Sequence, residues 1–301
     1  GTSESNFTTV FGFVSQGSYT HMAVRALKVL PNDGVFLSGF YGYSLNNNSD
    51  NHFLMKFNSD GYRDTTFNVN GREVSSLFPE SELTHGKENL DVIEVQNDGK
   101  VLTAGYFDMN NSGSRILLLR HNSDGTIDTS FGNNGLYTTS DNSRISSMAL
   151  QNDGKIVINV LHFSDNTPVA NNFSVSRINP DGTLDTTFGI NGTAQTTIGN
   201  SCNSNFVKVL ANQKILVTGY SSGTFKNFAM VKYNPDGSLD TAFGDQGKVI
   251  TDFNAEAVAN SVVLTNDNKL ILSGYAKSSA SGSNDFAMAK YYLEDALGTA
   301  S

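Results

Sequence analysis

The sequence has no tryptophan and a single cysteine, Cys202, in 301 residues. One cysteine excludes an internal disulfide and a cysteine-built metal cage. The missing tryptophan removes the largest flat platform on which sugar faces stack, and so counts against a lectin or a glycosidase. No stretch approaches the roughly 18 apolar residues of a transmembrane helix. Lys and Arg number 20 against 29 Asp and Glu, for a net charge of −9. With no basic run, the chain has no surface for nucleic acid, which needs clustered cations. It has no helical period of useful length. It also lacks a GxSxG elbow, a P-loop and a GxGxxG turn. Its histidines show neither HxH nor HExxH spacing.

What is present is punctuation and short apolar runs. The 28 glycines, with many Asn, Ser, Thr and Asp, separate runs rich in β-branched and aromatic residues. That pairing is strand chemistry and predicts an all-β chain. The segment NPDGTLDTTFGING, ending at Gly192, has relatives ending at Gly71, Gly135 and Gly247. The Asp of its Asp-Gly falls at Asp60, Asp124, Asp181 and Asp236, spaced 64, 57 and 55. A second landmark, a short turn followed by Lys or Val, ends at Val35, Lys100, Lys155, Lys214 and Lys269, spaced 65, 55, 59 and 55. Two landmarks with one period define an internal repeat.

Each repeat reads as four strands. One run ends at the short turn, and a second closes with Gly and an aromatic. A third carries a base at its end, and a fourth follows the NPDG-type motif. Four antiparallel strands in about 55 residues form a propeller blade. We expect a single β-propeller over residues 1–301 with five blades near 23–75, 90–139, 144–198, 204–253 and 259–293. The last blade is closed by an N-terminal strand at 6–14. That strand would remove an open sheet edge. The repeat motif resembles that of the bacterial delta-60-type repeat proteins. The resemblance implies a propeller, with exported or surface proteins built as repeat platforms and no agreed activity. The first copy departs from it, reading TTFNVNG, and the fifth is eroded to LEDALG.

Two columns recur beside each other: Lys56, Arg120, Arg177 and Lys232, and the second Asp of the motif, Asp64, Asp128, Asp185 and Asp240. We expect them to pair within each blade and hold the long hairpin in place; a partly exposed pair of this kind contributes about 0–1 kcal/mol. The N-x-D-G-x-x-D pattern offers oxygens that calcium could use but lacks the bidentate Glu of an EF-hand, so it reads as a hairpin loop. Gly39-Phe40, Gly105-Tyr106, Gly219-Tyr220 and Gly274-Tyr275 could stack sugars but read as core packing between blades.

Up-and-down topology places the variable loops on the face opposite the uniform turns, and binding concentrates on such loops. The most divergent link, residues 75–89, holds Glu80, Glu82 and His85. With His52 and His162 these form the candidate ligand-binding set. No metal, cofactor or catalytic residue is assigned. Asp91 and Glu94 are the inner carboxylates, without an evident partner for glycoside hydrolysis. The expectation is therefore a monomeric, non-catalytic binding or scaffolding module with a protein or glycan partner at the cell surface. The alternative is a polysaccharide hydrolase or lyase with a central carboxylate or metal site. The polar stub beginning at Gly1 reads as the scar of a removed export signal.

Overall fold

A computed structural model describes residues 19–43, 50–75, 88–109, 113–164, 167–168, 172–267, 269–277 and 282–293. Among them every regular element is a strand. The chain divides into two compact units, residues 1–144 and 145–301, and each is described by itself.

The first unit holds two four-stranded sheets. One comprises β1 (Tyr19–Val29), β2 (Val35–Tyr43), β3 (Asp50–Phe57) and β4 (Arg72–Ser75). The other comprises β5 (Glu88–Val95), β6 (Val101–Met109), β7 (Gly113–His121) and β8 (Leu136–Tyr137). The third sheet is built from β9 (Ser143–Leu150), whose first two residues belong to the first unit, and β10 (Ile156–Ser164). A short β11 (Thr167–Pro168) extends β10, and β12 (Phe173–Ile178) and β13 (Thr193–Thr196) complete that sheet. The fourth contains β14 (Ser201–Val209), β15 (Ile215–Ser222), β16 (Lys226–Tyr233) and β17 (Lys248–Thr251). The fifth shows β18 (Ala257–Leu264), β19 (Lys269–Lys277) and β20 (Asn284–Tyr292). Apart from the β11 pairing, spatial order follows chain order, as in a meander. Residues 6–14, expected as a closing strand, lie outside the described residues.

The third strands of the second and third sheets, β7 and β12, are largely buried on both faces, whereas β20 of the fifth sheet is mostly exposed. Ile116 through His121 are all buried, as are all six residues of β12. The NPDG-type motif folds back onto this strand. Asp128 N donates to Arg120 O at 2.9 Å, and Arg120 N donates to Gly135 O at 3.1 Å. Gly125 and Gly135 hold φ of 88° and 94°, left-handed values that favour glycine. The motif phenylalanine fills the space beneath, with Phe67, Phe131 and Phe188 at 0% exposure.

The short turn shifts register in the first sheet. Val35 pairs with Val29 as Val101 pairs with Val95, so Gly34 stands where Lys100 stands. Asp33 then takes the left-handed position, φ 61°, that Gly99 fills at 83°. The sequence alignment, which matched Val35 to the repeated lysines, is corrected by one residue.

Each of four first strands carries an extra residue, a β-bulge, at Arg25, Asp91, Asn205 and Asn260. Opposite each bulge the second strand has a glycine. A Cβ on Gly39, Gly105, Gly219 or Gly274 would sit 1.9–2.0 Å from a first-strand carbonyl. The bulge and the glycine therefore require each other. The carbonyl just before the bulge accepts a side-chain hydrogen bond from the preceding sheet. Ser38 Oγ donates to Leu90 O at 3.2 Å, and Asn205 Nδ2 to Ala259 O at 2.8 Å.

Candidate functional site

The repeated base–acid columns meet within the first four sheets. Lys56 lies 2.9 Å from Asp64, Arg120 2.7 Å from Asp128, Arg177 2.7 Å from Asp185 and Lys232 3.0 Å from Asp240. Three of these pairs are buried. Asp128, Asp185 and Asp240 are 5%, 4% and 5% exposed. The burial has a cause that sequence reasoning missed. The motif aromatic lies against the cation, 4.5 Å from Arg120 to Phe131, 4.6 Å from Arg177 to Phe188 and 4.7 Å from Lys232 to Phe243. The turn lysine closes the other side, with Lys100, Lys155 and Lys214 at 2.7, 2.9 and 2.9 Å from the same carboxylates. In the first sheet Gly34 occupies that position, and Lys56 stays more open.

Burial alone would raise Asp128. Hydrogen bonds from Lys100 and Ser130 and the Arg120 charge outweigh it and hold the carboxyl well below its ordinary value. Asp185 behaves likewise, through Thr187, Lys155 and Arg177. The first Asp of the motif accepts from its own turn, with Thr126 N and Oγ1 at 2.9 and 2.7 Å from Asp124 Oδ1. The second caps the next turn through Ser130 N, 3.1 Å from Asp128 Oδ1. With these bonds the carboxylates act as turn and hairpin fasteners.

A different constellation forms in the first unit, where β6 ends and β7 begins. Asp91 and Arg25, bulge residues of adjacent first strands, approach to 3.8 Å. Three residues on, Lys28 donates to Glu94 at 2.6 Å. The Arg144 guanidinium lies 3.7 Å above the Tyr106 ring. Its Nε donates to Ser114 Oγ at 2.8 Å, and its Nη2 reaches Asp108 Oδ1 at 3.2 Å. Ser114 Oγ donates to Asp108 at 2.5 Å. Burial pushes the Asp91 carboxyl above its ordinary value, against the opposing charges of Arg25 and Arg144. The Tyr106 hydroxyl is raised first by burial and further by Asp91 and Asp108, with Arg144 and Arg25 opposing. These mutual influences place five ionisable groups in one neighbourhood: two carboxyls, a phenol and two guanidiniums.

The aromatics after the strand glycines are half-buried, not core. Phe40 carries Arg25 at 5.2 Å, and Tyr220 carries Lys226 at 4.8 Å. The glycine itself was the readable signal for the site, because a glycine inside a strand marks a bulge. The bulge is what projects Arg25 and Asp91.

Of the candidate ligand set, Glu80, Glu82 and His85 lie outside the described residues. His52, on β3, is fully buried with Glu88 of β5, Nδ1 to Oε2 at 2.6 Å. It underpins the start of β5 instead of standing in a solvated loop. His162 lies on β10, in the second unit. Among the described residues no three His, Cys, Asp or Glu side chains are grouped to hold a metal.

Residues 96–131, 151–188 and 210–243 match the model of a domain of unknown function, DUF5122, described as a beta-propeller. These three segments are similar to repeats of a β-propeller family of unknown function, and the sheets of antiparallel strands fit that fold. No curated protein sequence matches it. Among solved structures, the periplasmic gluconolactonase of Pseudomonas aeruginosa aligns over 89% of this chain and 72% of its own, at 12% identity and a TM-score of 0.51. An endo-arabinase from Bacteroides thetaiotaomicron aligns over 92% and 96%, at 11% identity and 0.48. An endo-1,4-beta-xylanase from the same organism aligns over 93% and 94%, at 11% and 0.44. At 12% identity the likeness to the gluconolactonase shows the fold alone.

The expectation of a non-catalytic binding or scaffolding module is corrected here. Several of the solved structures that resemble the chain are named as enzymes that cleave glycans, at identities that show the fold alone. The physical reason is local. The platform reading treated inner-strand charges as isolated, whereas the bulges gather them beside Tyr106, Asp108 and Arg144.

Proposed function

We propose that the protein is a carbohydrate-active enzyme, a hydrolase of glycosidic bonds, working at the Asp91 constellation. The observation that supports this reading is the convergence of two carboxyls in unlike surroundings. Asp91 sits where burial favours its protonated form, and Asp108 is fixed by Ser114 and Arg144. Carboxyls in contrasting environments divide acid and base roles. Asp91 gives its proton to the departing glycosidic oxygen as the carbon–oxygen bond breaks. Asp108 takes a proton from the water that forms the new bond to the sugar carbon. Arg144 and Tyr106 hold the second carboxylate and the ring-facing wall. On this reading the protein works outside the cytoplasm, where polysaccharides are met.

The test is release of reducing ends from a panel of plant and bacterial polysaccharides. The wild type should cleave at least one. Asp91→Asn and Asp108→Asn should each lower kcat by about 10²–10⁴-fold, the usual contribution of an acid or base. An inert wild type, or an Asp91→Asn protein of full activity, would reject the proposal.

A further inference from the structure

The first unit is unusual in what it places at the bulge positions. Asn205, the corresponding residue of the fourth sheet, uses its amide to tie β14 to the Ala259 carbonyl at 2.8 Å. Among the described residues Arg25 makes no such structural bond. Its guanidinium stands 3.8 Å from Asp91, beyond hydrogen-bonding distance, and 5.2 Å from the Phe40 ring centroid, with the side chain 49% exposed. Arg144, by contrast, is engaged by Ser114, Asp108 and Tyr106. A protein of net charge −9 thus presents one loosely held, forked cation beside its candidate acid.

We propose that Arg25 makes this site selective for saccharides bearing an oxyanion, a uronate carboxylate or a sulfate ester, held on its guanidinium next to the scissile bond. A planar fork of N–H donors matches the two oxygens of such a group and gains charge-assisted bonds that a neutral sugar cannot offer. Phe40, against the guanidinium, keeps the fork oriented without consuming its donors. The proposal rests on the hydrolase reading for the position of the bond. It does not rest on that reading for the binding.

The experiment measures binding by calorimetry, in the Asp91→Asn protein so that turnover does not consume the ligand. The three probes are oligogalacturonate, a sulfated galactan oligosaccharide and the neutral galactan oligosaccharide of equal length. The anionic probes should bind at least about 10-fold tighter than the neutral one, a difference of about 1.4 kcal/mol. Arg25→Gln should erase that ratio, and Arg25→Lys should restore part of it. Whether the carboxylate or the sulfate probe binds identifies the source of the oxyanion. Equal binding of all three, no binding of any, or a ratio that survives Arg25→Gln overturns the proposal. Cleavage of the neutral glycan by the wild type with no preference for anionic ones keeps the hydrolase and rejects the selectivity. Arg25-dependent binding of an anionic probe that the wild type never cleaves does the reverse.

Discussion

Asp128 and Asp185 show how much one carboxylate can carry at the level of the residue. Each accepts from a turn lysine, a strand-end arginine and its own capping turn, while an aromatic ring backs the cation. Deleting one partner strands buried charge of the other sign, at a cost of about 3–5 kcal/mol. Asp128→Asn should therefore lower the urea-derived unfolding free energy by several kcal/mol. Asp64→Asn, in the more open first-sheet pair, should cost about 1 kcal/mol. The same contrast sets a pH dependence. The folded carboxyls lie below their ordinary 3.8, so the stabilisation is complete above that value and is lost as pH falls through the folded-state value. The gap between wild type and Asp128→Asn, measured by urea titration at a series of pH values, should be full at pH 6 and should narrow below 3.8. A gap constant down to pH 2.5 would mean the pair does not act through ionisation.

At the scale of the element, the bulge and its opposing glycine form one device. Gly105→Ala would drive a methyl to within 2.0 Å of the Asn89 carbonyl, and backbone yields little. Either β5 shifts or its bulge is lost, and Asp91 leaves its place. The expected result is a destabilisation of about 2 kcal/mol or more, read by thermal unfolding. It should come with loss of activity larger than the stability change explains when assayed well below the melting temperature. Gly219→Ala, with the same 2.0 Å clash against Asn203 in a sheet without the acid, should destabilise similarly and spare activity. Equal losses from both would place the chemistry elsewhere. Much of this element was legible in sequence, since four repeats put Gly at one position of the second strand. Its meaning was not. A Gly-Tyr pair reads as packing until the close carbonyl shows what the missing Cβ makes room for.

For the molecule as a whole, the net charge of −9 opposes approach of an anionic glycan at low ionic strength. The screening length shrinks from about 30 Å at 0.01 M salt to about 8 Å at 0.15 M. Stopped-flow association of an oligogalacturonate should accordingly speed up several-fold over that range, while a neutral oligosaccharide is unaffected. The sequence by itself determined the all-β class, the repeat and the base–acid columns, because each depends on local pattern: short β-branched runs, Asp-Gly turns and residues eight apart on one hairpin. Arg120 and Asp128 meet across a single loop, so spacing alone brings them together. Tertiary structure decided what depends on neighbouring sheets and on register. It buried three of the four pairs under an aromatic and a turn lysine, and it moved Gly34 into the lysine position. It also set His52 against Glu88 in the interior, and brought Arg25, Asp91, Asp108 and Arg144 together from strands far apart in the chain. Spacing along a sequence fixes contacts within a hairpin, but a site assembled from separate sheets exists only after those sheets pack.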